Sequence, residues 1–292
     1  MSLDINLKQN KLIKKKFTFN DITNTLYGYA YGISGIGLIL EDYDGEFEDQ
    51  YIVFYDPKKI GRGFTLQYLS SDQSIHLNLN IPCSYHDIED FYECTRRLCK
   101  MMNINTIDHD GEMIHLDDIP KKVNHTMNWV GNVLKSFVEE NKFEYTFGAI
   151  YPLHIEESFI QHIKDMDKEN KVIAFEEYLH KKQNQDLYYA KPRIYQRNDQ
   201  TLFGCFTLSE DVDSIFPYEP ALPIMSDDLD VKDWYIGIIS FDEEARLEGN
   251  IAFHTLNEVL DLSLFPKFDE SHFIITLNKQ QIKQLQPYFV EI

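Results

Sequence analysis

Two runs of period-two alternation lie close together in the first third of the chain. Phe64, Leu66 and Tyr68 alternate with Thr65 and Gln67, and Ile75, Leu77, Leu79 and Ile81 alternate with His76, Asn78 and Asn80. Ser70 to Ser74 separates them, so they read as the arms of a hairpin in a sheet with one buried and one wet face. The period then becomes helical. Ser84 with Asp87 three residues on has the form of a capping box. Behind it Ile88, Phe91, Thr95, Leu98 and Met102 recur at spacings of three and four. A second long helix starts near Pro120 with the stripe Val123, Met127, Val130, Leu134 and Phe137. Both stripes read as core faces rather than cofactor pockets.

The remainder gives shorter elements. Residues 1–60 read as short strands and turns, among them Tyr51–Tyr55, which ends at the turn Asp56-Pro57. Asp108 to Gly111 is a turn, and 112–116 a short strand. Residues 145–151 read as a buried strand ended by Pro152. Ile155, Phe159, Ile163 and Met166 suit a short helix, and 172–183 a further one. Residues 193–197 and 201–206 form a second hairpin around Asn198-Asp199, residue types that tolerate positive φ. Residues 235–241 read as a central strand, 250–261 as a helix and 272–277 as a late strand. Asn278 with Gln281 caps a last helix that Pro287 ends.

Strands come in hairpins and helices in groups, without strict βαβ alternation. The expected class is therefore α+β, with mainly antiparallel sheets carrying packed helices. The 292 residues suffice for one large domain or two ordinary ones. A division into halves 1–145 and 146–292 places one hairpin in each.

Charge narrows the function classes. There are 48 Asp+Glu against 28 Lys+Arg, a formal net charge of −20. Such a field opposes sequence-independent nucleic-acid binding and docking on an anionic membrane. The acids are densest in 209–233, where Pro217, Pro220 and Pro223 break regular structure. Clustered carboxylates resist burial together, so this segment is expected to be a surface connection, with Asp227, Asp228, Asp230 and Asp233 as a possible interaction surface. Aromatics reach 14%, with 20 Phe and 18 Tyr. Core packing accounts for most such rings, and a stacking surface would require rings gathered on one exposed face. Cys83, Cys94, Cys99 and Cys205 show no C-x-x-C pair and read as reduced thiols. The first residues lack the apolar core of a signal peptide, and no 18-residue apolar run occurs, so a cytoplasmic location is expected.

No motif fixes a reaction. Gly32, Gly35 and Gly37 are followed by Leu38-Ile-Leu40, a strand-like run where a dinucleotide loop needs a helix, and they read as turn glycines. His109, Glu112 and His115 span a turn and a short strand, where 112 and 115 point to opposite faces, so a zinc set is not expected. Loops starting at Asp42 or Asp228 fail the EF-hand ligand pattern. Neither a cofactor nor a metal site is expected on these motifs.

Several short signals together resemble a known family. They are the lysine-rich Leu7 to Lys11, Gly61-Arg62-Gly63-Phe64 opening the hairpin, Tyr85 to Asp90 at the helix start, and Asp110-Gly111-Glu112 before Asp117-Asp118-Ile119. The chain resembles the Firmicutes family catalogued as domain of unknown function 4299. The resemblance implies a cytoplasmic bacterial protein and brings no activity or catalytic residue. Charge and the lack of a catalytic motif favour a non-enzymatic protein that binds or regulates a basic protein partner, an immunity-type role included. The alternative is a divalent-metal-dependent hydrolase built on dispersed carboxylates.

Overall fold

The computed structural model describes residues 1–9, 14–34, 40–41, 50–140, 145–220, 230–241 and 244–292. By packing, the chain divides into two compact units, Met1–Gln185 and Asp186–Ile292. The division thus falls well beyond the 145/146 junction expected from the sequence. The two helices that follow directly, Glu157–Ile163 and Lys168–Gln183, belong to the first unit.

The first unit holds strands β1 (Ser2–Leu7), β2 (Ala30–Ser34), β3 (Leu40–Glu41), β4 (Tyr51–Tyr55), β5 (Phe64–Leu69), β6 (Ser74–Asn80), β7 (Thr106–His109), β8 (Glu112–His115), β9 (Tyr145–Phe147) and β10 (Pro152–His154). Its helices are α1 (Phe19–Thr25), α2 (Tyr85–Met102), α3 (Ile119–Glu140), α4 (Glu157–Ile163) and α5 (Lys168–Gln183). Eight strands form one antiparallel sheet in the order β3-β2-β4-β5-β6-β1-β7-β8. The hairpin read from alternation is β5–β6. Its apolar positions Leu66, Ile75, Leu77 and Leu79 are buried with Leu3, Ile5, Ile52 and Phe54 against Ile88, Phe91 and Leu98 of α2 and Val130 of α3. The opposite face is polar, and there Asp4 accepts bonds from His76 Nε2 and Asn78 Nδ2, each at 2.9 Å.

Two elements of this unit differ from expectation. Helix α1 lies where only short strands and turns were expected, and its capping box of Thr18 and Asp21 is visible in the sequence. The run 145–151 is not one strand. It is β9 followed by a turn, and Pro152 opens β10 instead of ending a strand. Gln183 of α5 holds that turn, with Oε1 accepting from Ile150 N and Tyr151 N at 2.8 Å and Nε2 donating to Tyr151 O at 2.9 Å. Gly148 packs so close to the Gln183 amide that a Cβ there would clash.

The second unit contains β11 (Tyr188–Tyr189), β12 (Arg193–Gln196), β13 (Leu202–Ser209), β14 (Ser214–Pro217), β15 (Val231–Phe241), β16 (Ala245–Ala252), β17 (His272–Ile275), α6 (Phe253–Val259) and α7 (Lys279–Leu285). They form a sheet β11-β14-β17 and a sheet β12-β13-β15-β16. Among the described residues, the parallel strand pairs are β11–β14 and β13–β15. The class is α+β with mostly antiparallel sheets, as the sequence indicates. The helix expected over 250–261 is shorter, because 245–252 pairs with β15 as strand β16. The core gathers Phe206, Phe216, Ile236, Ile238, Ile251 and Phe273 with Leu256, Ile282 and Leu285.

All four cysteines are free: Cys83, Cys94 and Cys99 are buried and Cys205 is half-buried. Burial pushes the Cys83 and Cys94 thiols up and lifts Cys99 to about 12. A thiol reagent added to native protein should therefore modify Cys205 first and reach the other three only on unfolding. Titration of the unfolded chain without reductant should give four equivalents, and a value of two or fewer would contradict the assignment.

Candidate functional site

Of the four acids singled out in the sequence, Asp227 and Asp228 lie outside the described residues. Asp230 is exposed and pairs with Lys232. Asp233 is exposed and meets Arg197 through Oδ2 to Nη1 at 2.8 Å. Residues 209–220 are only in part the surface connection expected: Asp211, Asp213 and Glu219 are exposed, but a strand is buried between them. Ser214–Pro217 is the buried strand β14, and Glu210 is only 4% exposed. Glu210 Oε2 accepts from Phe241 N at 3.1 Å, and Asp213 accepts from the Thr276 hydroxyl. The apolar run Ser214-Ile-Phe-Pro217 outweighs the flanking acids, because β17 pairs along its whole length.

Asp233 and Arg197 stand at one end of a surface that the sequence could not place. In the sheet β12-β13-β15-β16, Phe206, Leu208, Ile236, Ile238 and Ile251 point to the core. Successive residues alternate faces, so Tyr195, Phe203, Cys205, Tyr235, Ile239, Phe241 and Leu247 share the other face. Tyr195 stacks on Phe203 at 5.4 Å, and Phe203 meets Tyr235 edge-on at 5.9 Å. The Arg197 guanidinium lies 4.8 Å from the Phe203 ring centre and donates to Tyr235 Oη at 3.0 Å. Tyr195, Phe241 and Leu247 are 44%, 49% and 58% exposed. The rings read mainly as core from composition are therefore partly gathered on one outward face. In the same unit a cleft of about 450 Å³ is lined by Tyr218, Lys232, Asp233, Trp234, Phe253 and His254, among others.

A second constellation occurs in the first unit. The turn after β4 supplies Asp56, and the first turns of α2 supply His86 and Asp90, one helical turn apart. His86 Nε2 lies 2.9 Å from Asp56 Oδ2 and 3.3 Å from Asp90 Oδ2. Each group is held from outside the trio. Lys58 N donates to Asp56 Oδ1 at 2.8 Å, Tyr29 Oη donates to Asp90 Oδ1 at 2.8 Å, and His86 N donates to Glu176 Oε2 at 3.2 Å. Desolvation raises the Asp90 carboxyl to about 6. The three donor atoms lie within 4.8 Å of one another. The signal available in the sequence was the i, i+4 pair His86 and Asp90, which share a helix face. Asp56 carried no local signal, since only the fold brings it there.

The other singled-out residues have separate partners. His109 bonds to Tyr92 Oη at 2.7 Å, Glu112 to Lys122 at 2.6 Å, and His115 to Asp117 at 3.1 Å. Gly32 lies in β2, and Gly35 and Gly37 are outside the described residues. The Arg62-Gly63 step is structural. Arg62 N and Gly63 N donate to the Asp87 carboxylate at 3.1 and 2.8 Å, and Gly63 has φ +63°, a region open to glycine. Among the described residues no helix is long and apolar enough to cross a membrane.

The molecule is thus an α+β protein of two compact units, one of which presents an aromatic sheet face. It belongs to the family described as Domain of unknown function (DUF4299), whose model matches residues 2–285 and so runs through both units. No curated protein and no solved structure matches the chain.

Proposed function

We propose that the protein is a binding protein that docks a basic protein partner on the aromatic face of β12-β13-β15-β16. The observation that carries this reading is the gathering of Tyr195, Phe203, Tyr235, Phe241 and Leu247 on the side of the sheet opposite its core. Contiguous apolar and aromatic surface of this kind is what interface cores are made of. Charge selects the partner. The chain carries a net charge of −20; at the face itself Asp230 and Asp233 are paired with Lys232 and Arg197, and exposed Arg193 lies beside Tyr195, so the field is that of the whole chain. That field attracts a basic surface and repels phosphate, so a basic protein fits and a nucleic acid or an anionic membrane does not. An immunity-type or regulatory role in a bacterial cytoplasm is the finer form of this reading.

The test is capture from an extract of the source cells, followed by identification and purification of what binds. A single basic protein in stoichiometric amount is expected. Its association with the Asp230→Asn/Asp233→Asn chain should be slower at low salt, with the difference shrinking as salt rises. An acidic partner, or association rates that ignore both salt and these substitutions, would overturn the charge argument.

A further inference from the structure

The convergence of Asp56, His86 and Asp90 is more than an ion pair requires. A neutral imidazole Nε2 carries at most one proton, and that proton serves one good hydrogen bond. Here two carboxylate oxygens aim at the same nitrogen, at 2.9 and 3.3 Å. Both His86–carboxylate spacings are those of neighbouring ligands on one ion, and the two carboxylate donors lie within 4.8 Å of each other. First-row divalent ions hold N and O donors at about 2.0–2.2 Å. Neighbouring donors then stand about 3.0 Å apart at right angles and about 3.4 Å apart at the tetrahedral angle.

The surroundings agree. Asp56 and Asp90 each spend one oxygen on an outer partner, Lys58 N and Tyr29 Oη, and present the other to the imidazole. Outer bonds of this kind orient metal ligands. The Glu176 carboxylate fixes the backbone under His86. All three side chains are partly buried, with 23%, 17% and 13% of their surface accessible for Asp56, His86 and Asp90.

We infer that Asp56 Oδ2, His86 Nε2 and Asp90 Oδ2 form a binding site for a divalent first-row transition ion of the zinc or manganese class. An imidazole donor favours such ions over calcium and magnesium, which prefer all-oxygen shells. Three protein donors leave room for water on the ion.

The full chain, stripped with chelator, is titrated with Zn²⁺ and separately with Mn²⁺ and Ca²⁺ by calorimetry. One Zn²⁺ or Mn²⁺ per chain is expected, bound at least tenfold more tightly than Ca²⁺. His86→Gln should weaken binding at least tenfold while His115→Ala leaves it unchanged. Tyr29→Phe keeps all three ligands and removes the bond orienting Asp90 together with a contact to buried Cys94, so it should weaken binding measurably even where His86→Gln folds poorly. The ion should also raise the melting temperature of the parent chain and not that of the His86 variant. No stoichiometric Zn²⁺ or Mn²⁺ binding, Ca²⁺ bound as tightly as either, or equal affinity in the parent, His86 and Tyr29 chains would overturn the assignment.

Discussion

Replacing Asp87 with alanine should destabilise the protein by about 3–5 kcal/mol, the usual cost of breaking a buried charged network by removing one partner. Asp87 is 3% exposed. Its carboxylate accepts from Ser84 N at 3.0 Å, Ser84 Oγ at 2.8 Å, Arg62 N at 3.1 Å and Gly63 N at 2.8 Å. It thereby completes the capping box of α2 and ties that helix to the entry of β5. Alanine would leave buried backbone donors without acceptors and remove the negative charge that offsets Arg62. Arg62 in turn donates to Phe147 O at 2.9 Å and Pro82 O at 2.6 Å, so the loss would spread to β9. Urea unfolding of parent and variant measures this directly. A loss under about 1 kcal/mol would show that the carboxylate is replaceable by water.

Phe206→Ala should cost a similar amount, about 3–5 kcal/mol, by leaving a cavity at the centre of the second unit. Phe206 is 1% exposed, and its ring lies 5.3 Å from Phe216 and 5.5 Å from Trp234 and from Phe253. Tyr195→Ala, on the other face of the same sheet, should cost under about 1 kcal/mol, since surface changes rarely exceed that. The contrast tests whether the sheet has one packed and one open face. Equal losses in urea unfolding would mean that the aromatic face is also core.

Much of this was legible from period alone. The β5–β6 hairpin alternates cleanly, and α2 and α3 carry clear three-four stripes, because each has one buried side; the β12–β13 hairpin was marked by its Asn198-Asp199 turn instead, since β12 has no buried residue. Strand β16 was not legible. Ala245 to Asn250 are all exposed or half-buried, so no alternation marks them, and pairing with β15 decides their conformation. Strand β14 was hidden for the opposite reason: four residues buried on both sides show no period, and flanking acids and prolines disguise them. The sites depend on the fold still more. Alternation shows that Tyr195 and Phe203 share a face with each other, but only packing decides which face is wet. Asp56 reaches His86 only because the turn after β4 lies beside the start of α2.

The binding account rests on the aromatic face, and the affinity of the purified partner for a Leu247→Glu chain tests it most directly. Leu247 is 58% exposed and lies opposite Ile239 in the register, so the substitution should leave the fold intact while placing a charge within the proposed contact. The account predicts at least tenfold weaker binding, with circular dichroism and unfolding midpoint unchanged. Unchanged affinity in a chain that folds normally would contradict it.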